Sequence, residues 1–181
     1  MKNKAFFLDR DGIINERLVD DYVKSIDEFV FIEDFFNLLK KIKQHNFQAI
    51  LISNQQGVGK KLMTQADLDN IHLFMQNTLE AKTNYKLDDI FVCTSLASEN
   101  DYRRKPNPGM IIQAIEKYNF DPHQCFMVGD SNSDIIAGKQ AGIKTIYIGN
   151  NRNIDADFIF ISIFELVQHF EEVVKIKNNE S

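Results

Sequence analysis

Apolar residues along the chain fall into two alternating rhythms. Short unbroken runs alternate with longer segments in which apolar residues recur every three or four positions. KAFFL (4–8), FQAILIS (47–53), DIFVCT (89–94), QCFMVG (124–129), KTIYIG (144–149) and DFIFIS (157–162) have the length and the β-branched or aromatic content of strands. Phe35, Leu38, Leu39 and Ile42 follow the i, i+3, i+4, i+7 spacing and predict a helix over 34–45. Thr64 followed by Asp67 is a capping-box variant, opening a helix that Leu68, Ile71, Met75 and Leu79 carry to about residue 82. Pro108 opens another, with Ile111, Ala114, Ile115 and Tyr118 on its apolar face. A short helix from Ser133 ends near Gly142, and a final one carries Ile163, Leu166, Val167, Phe170 and Val174 before a frayed tail over 176–181.

Strands that are apolar on both sides, alternating with helices, predict an α/β fold: a mostly parallel central sheet with helices on both faces. The 181 residues are expected to form one domain, with no segment large enough for a separate cap. Composition changes this little. The formal charge of -5 argues against nucleic-acid binding, which depends on neutralising phosphates. The start, MKNKAFFLD, lacks the apolar stretch of a signal peptide, and no later run approaches a membrane span, so a soluble, cytoplasmic protein is expected. Cys93 and Cys125 lie in apolar stretches and read as buried free thiols.

In an open parallel sheet, ligands bind beyond the C-terminal strand ends, where strand order reverses. Asp9 and Asp11 follow the first predicted strand, and Ser53 and Asn54 follow the second. Arg103, Arg104 and Lys105 lie beyond the third, and Asp130 follows the fourth. Carboxylates, a hydroxyl and cations at one edge suit phosphoryl transfer. Three carboxylates with water can hold Mg²⁺, while Ser53 and Lys105 hold the transferring phosphoryl oxygens. One aspartate can then attack phosphorus and form an aspartyl-phosphate.

DRDGIIN, the later DYV, SNQQGVGKK, RKPNPGM and VGDSNSD resemble, in this order, the motifs of the haloacid-dehalogenase-like (HAD) phosphatases. The similarity runs from about Asn3 to Gly149 and is closer to the D-glycero-D-manno-heptose 1,7-bisphosphate phosphatases and their histidinol-phosphatase relatives. The resemblance implies a Rossmann-like HAD fold with Asp9 as nucleophile and Asp11 as general acid, then base. It implies Mg²⁺ held by Asp9, the backbone carbonyl of Asp11, and Asp130, with Asp134 supporting the site from behind. Ser53 and Lys105 would hold phosphate, Asn54 would support that loop, and Arg104 would contact substrate. The implied substrate is a small phosphorylated sugar, the heptose 1,7-bisphosphate losing its 7-phosphate on the way to nucleotide-activated heptose. Histidinol phosphate or another small metabolite is the enzymatic alternative, and a catalytically silent phosphate-binding or scaffold protein the non-enzymatic one. A monomer or weak oligomer is expected, without nucleic-acid or membrane partners.

Other readings of the motifs fit worse. A calcium loop starting at Asp9 needs a ligand and a glycine where Ile13 and Ile14 stand. A nucleotide P-loop ending at Gly59-Lys60 puts Asn54 at its first glycine and Lys61 where Ser or Thr belongs, so QQGVGKK reads as a flexible loop over the site. The four histidines read as structural or surface residues, Asp20, Asp21 and Asp27 as solvated carboxylates, and Arg103 equally as a solvated charge or a substrate contact. Many members of the resembled group carry a zinc loop of three cysteines and a histidine before the RKP motif. Here CTSLASENDYRRKP keeps only Cys93, so no zinc is expected. Packing of Leu96 and Tyr102 and hydrogen bonds from Ser95, Ser98 and Asn100 are expected to hold that loop instead.

Overall fold

Strand β1 (Ala5–Leu8) buries every side chain, because it runs through the middle of the sheet with both faces covered. The computed structural model describes residues 3–175. Among these the sheet has six strands in the order β3-β2-β1-β4-β5-β6, with β2 at Gln48–Asn54, β3 at Asp89–Cys93, β4 at Phe126–Gly129, β5 at Lys144–Ile148 and β6 at Phe158–Phe160. Every pairing is parallel. The predicted α/β architecture holds.

The period-2 alternation of β1 sorts its residues between two cores. Phe6 and Leu8 face the side covered by α1 (Asp34–Gln44), α3 (Gln65–Thr83), α6 (Ile163–Gln168) and α7 (Phe170–Lys175). Ala5 and Phe7 face α4 (Gly109–Tyr118) and α5 (Asn132–Gln140). The Phe6 ring stacks against Phe126 at 4.8 Å and Phe170 at 5.4 Å, tying β1, β4 and α7 together. Each such fully buried apolar side chain stabilises the fold by roughly 1.5–3 kcal/mol.

The Thr64 cap forms as expected: its hydroxyl accepts from Asp67 N at 3.1 Å, and Asp67 Oδ2 accepts from Thr64 N at 2.8 Å. Three local expectations are corrected. The final helix is two helices, broken at His169, whose ring Nδ1 approaches the Glu165 carbonyl at 3.0 Å. The fourth strand starts at Phe126, because Pro122–Gln124 form a 3₁₀ turn capped by Asp121. Within QQGVGKK, Gln56–Gly59 form a single helical turn, α2, where a loop was expected. The tail over 176–181 lies outside the described residues.

The topology fixes where ligands gather. From β1 the chain builds outward through β2 and β3, then returns to lay β4, β5 and β6 on the other side. Strand order reverses between β1 and β4, and the loops after those two strands carry Asp9, Asp11 and Asp130.

Candidate active site

The segment after β1 is still bound to the sheet. Asp9 N donates to the Val128 carbonyl at 3.0 Å, and a tight turn follows in which Ile14 N donates to Arg10 O at 2.8 Å and Gly12 N to Asn15 O at 2.7 Å. Gly12 has φ of +94°, and a Cβ there would lie 2.1 Å from Asp130 Oδ2. Only glycine lets the β1 turn and the Asp130 carboxylate close on each other.

Lys105 lies at the bottom of the site, 3% exposed. Its ammonium donates to Asp9 Oδ1 at 2.8 Å and to the Ile52 carbonyl at 2.8 Å, and pairs with Asp134 Oδ1 at 2.6 Å. Asn54, at the end of β2, holds the lysine's backbone from both sides: Nδ2 donates to Lys105 O at 2.9 Å and Oδ1 accepts from Lys105 N at 3.0 Å. Asp134 is itself fixed as the cap of α5, accepting from Ser131 N at 3.1 Å and Ser131 Oγ at 2.6 Å.

One ammonium serves two carboxylates. Burial pushes Asp9 up to about 7, against the pull of Lys105 and with a further push from Asp134. Burial opposes the charge on Lys105 as well, yet Asp134 and Asp9 hold its ammonium above the usual lysine range. These directions agree if Lys105 stays charged and Asp9 is the carboxyl that tends to take up a proton.

Asp11 is tuned the other way. Burial works against its charge, but the Arg10 guanidinium at 3.1 Å, Asn15 Nδ2 at 3.0 Å and Gln55 Nε2 at 3.0 Å outweigh it and leave its carboxyl below the usual range. Gln55 also donates to Ser53 Oγ at 2.8 Å, which leaves the buried Ser53 hydroxyl proton available to another acceptor. Two aspartates one residue apart thus have opposite protonation tendencies in the metal-free site. A nucleophilic Asp9 needs a cation beside it to ionise, and an acidic Asp11 needs an anion beside it to hold a proton.

A divalent cation fits the remaining oxygens. Asp9, Asp130 and Asp134 each present a carboxylate oxygen within 4.8 Å of the others, a hard donor set of the kind Mg²⁺ takes. Asp134 already gives one oxygen to Lys105 and the other to Ser131, so the more available ligands are Asp9, with one oxygen on Lys105, and Asp130, held by the exposed Arg17. Burial, with Asp134 adding, raises the pKa of Asp130, and Arg17 opposes that rise with Nη1 at 3.2 and 3.4 Å from its two oxygens.

A cavity of about 250 Å³ opens here, lined by Asp9, Asp11, Asn54, Arg104, Lys105 and Asp134 among the expected residues. Ser53 and Asp130 are not among its lining residues: Gln55 ties Ser53 to Asp11, and Arg17 ties Asp130 to the rim. Arg104 Nη1 donates to the Ser95 carbonyl at 3.1 Å, whereas Arg103 turns to Asp101 at 2.7 Å. Asp21, expected to be merely solvated, lines the cavity with Arg17 and Tyr22. Sequence reasoning missed Arg10, Asn15 and Gln55, which hold Asp11 and already lie inside the quoted motifs. It also missed Arg17, which no motif marks.

The comparisons with known proteins agree with this geometry. A family model described as HAD-hydrolase-like matches residues 102–159. The chain is 38% identical over 142 residues to the D-glycero-beta-D-manno-heptose-1,7-bisphosphate 7-phosphatase of Helicobacter pylori, covering 78% of this chain and 81% of that one. It is 32% identical over 174 residues to the D-glycero-alpha-D-manno-heptose-1,7-bisphosphate 7-phosphatase of Campylobacter jejuni, covering 95% and 98%. A crystal structure of the D,D-heptose 1,7-bisphosphate phosphatase from B. bronchiseptica, complexed with magnesium and phosphate, superposes with a TM-score of 0.85 at 28% identity, covering 94% of this chain and 99% of that one.

Proposed function

Because the chain belongs to the HAD-like phosphatases, the family of the heptose-1,7-bisphosphate 7-phosphatases, we propose that it removes the 7-phosphate of a D-glycero-D-manno-heptose 1,7-bisphosphate. It does so as a single domain in the cytoplasm, in the synthesis of nucleotide-activated heptose, with Mg²⁺ and without zinc. The observation that carries the reading is the Asp9–Lys105–Asp134 cluster. A buried ammonium bridges the carboxylates of Asp9 and Asp134 where the strand order reverses. Among the described residues no helix is long and apolar enough to cross a membrane.

Asp9 and Asp130 would hold the Mg²⁺, with Asp134 fixing Lys105 and Ser131 behind them. When bound, the ion offsets phosphate charge and keeps Asp9 ionised. Lys105 and the Ser53 hydroxyl hold the phosphoryl oxygens, and Asn54 keeps Lys105 in place. An Asp9 oxygen forms a bond to phosphorus as the phosphorus–sugar oxygen bond breaks, and Asp11 gives the leaving oxygen a proton. For this Asp11 must hold a proton against the pull of Arg10, which the negative charge of a bound phosphate would favour. Asp11 then takes a proton from water, whose oxygen attacks phosphorus and releases phosphate from Asp9. Arg104 binds the distal part of the sugar.

A phosphate-release screen with Mg²⁺ over the two anomers of the heptose bisphosphate, sugar monophosphates and histidinol phosphate tests this. The heptose bisphosphates should lead by at least tenfold in kcat/KM. A lead for histidinol phosphate would transfer the assignment to the other branch, and no release from any ester would make the site a binding site only.

A further inference from the structure

Arg17 is a cation that sits where the chemistry calls for a different one. Its guanidinium lies against both oxygens of Asp130, and its attraction to Asp130, with smaller contributions from Asp9 and Asp11, raises its pKa although burial opposes this. Yet its side chain is 59% exposed, and it lines the cavity from the rim. The Asp130 side chain is only 17% exposed, but the arginine's side of the pair is open to water, so the guanidinium can be rehydrated and leaves at modest cost when a divalent ion takes Asp130. The released charge stays beside the cavity mouth.

The mouth has few cations for a second phosphate. Lys105 is buried beside Asp9 and Asp134 and serves the phosphate that is cleaved. That leaves Arg17, on the segment after β1, and Arg104, on the loop after β3, as the other lining cations among the described residues. The Arg17 segment is anchored where Tyr22 OH accepts from Gln56 Nε2 at 2.7 Å, so the arginine swings from a fixed base. A planar guanidinium can bind a phosphate bidentately.

We propose that Arg17 is a two-position specificity residue: it pairs with Asp130 in the metal-free protein, and on metal binding it turns to grip the phosphate that is not cleaved. This rests on the bisphosphate reading above. Arg17 then opposes metal binding slightly and favours substrates with a second phosphate strongly.

The test has two parts and uses Arg17→Ala and Arg17→Lys in the full chain. Calorimetric titration of MgCl₂ into metal-free protein should show Arg17→Ala binding the ion about two- to fivefold more tightly than wild type, the equivalent of losing one exposed ion pair. Unchanged or weaker binding would overturn the proposal. Turnover at saturating Mg²⁺ is then compared for the heptose 1,7-bisphosphate, the heptose 7-phosphate and 4-nitrophenyl phosphate. Arg17→Ala should lose at least tenfold more kcat/KM on the bisphosphate than on either monoester, chiefly in KM, and Arg17→Lys should recover part of it. Equal losses on all three substrates would overturn it too. The underlying reading fails separately, if wild type itself shows no preference for the bisphosphate over the 7-phosphate.

Discussion

The Lys105 ammonium lies 2.8 Å from Asp9 Oδ1 while itself only 3% exposed, so the group that would receive the phosphoryl and the group that would steady it form one buried unit. Removing one partner of such a unit leaves a charge without compensation. Lys105→Met should therefore destabilise the metal-free protein by about 3 kcal/mol and cut turnover at least a hundredfold. Denaturant unfolding in chelator and phosphate release check the two halves. A variant as stable as wild type would mean that Asp9 and Asp134 share a proton at no cost.

Gly12 controls how closely Asp130 approaches the β1 turn. In Gly12→Ala the new Cβ would stand 2.1 Å from Asp130 Oδ2, at a φ of +94° that alanine tolerates poorly. Mg²⁺ affinity, read by calorimetry, should fall about tenfold or more as Asp130 is pushed aside. Retained affinity would show that Asp130 is not a ligand.

His72 gives the fold a pH dependence away from the site. Burial, with Arg10 adding, depresses its pKa to about 4, and its Nε2 has no hydrogen-bond partner. Between pH 4 and its ordinary value of 6.5 the unfolded chain binds this proton and the folded chain does not. Stability from this group is therefore complete above 6.5 and is lost as pH falls towards 4, by roughly 3 kcal/mol in all. The stability difference between wild type and His72→Leu should shift in favour of the variant by that amount over the same range. A difference that does not vary with pH would contradict it.

Asp101 organises the loop that carries Arg104. Its carboxylate accepts from Ser95 Oγ at 2.6 Å, from Arg103 N at 2.8 Å and Nη2 at 2.7 Å, and from the Cys93 thiol at 3.6 Å. Its carbonyl accepts from Arg104 N at 3.0 Å. These bonds, led by Arg103 and Ser95, hold its pKa far below the carboxylate range. Asp101→Ala should speed amide exchange over 95–104 and cost more on the sugar bisphosphate than on an aryl phosphate. Elemental analysis of both proteins should find no stoichiometric zinc. Zinc at one per chain, lost in Cys93→Ser, would show a metal doing this work.

The sheet was legible because strands buried on both faces leave unbroken apolar runs, and its C-terminal edge was legible because Asp9, Ser53, Lys105 and Asp130 each follow such a run. What escaped had no periodic signature. Arg10 is fully buried, and a buried arginine has the same sequence appearance as a solvated one. Arg17 reaches Asp130 across 113 residues of sequence, a contact only the fold creates. Asp101 was passed over in favour of Ser95, Ser98 and Asn100, because an acceptor hub shows no pattern beyond one carboxylate in a polar loop. The turn of α2 is four residues long with two glycines, below the length at which helical periodicity can be read. The break at His169 was hidden because Ile163, Leu166, Val167 and Phe170 keep their spacing across it.

The central claim is that Asp9 is the group phosphorylated during turnover. Phosphate release from the heptose 1,7-bisphosphate with Mg²⁺, measured for wild type and for Asp9→Asn of unchanged melting temperature, tests it most directly. Wild type should release one phosphate per substrate, from the 7-position, and Asp9→Asn essentially none, because a neutral amide cannot attack phosphorus. Turnover by Asp9→Asn at a rate near that of wild type would contradict the account.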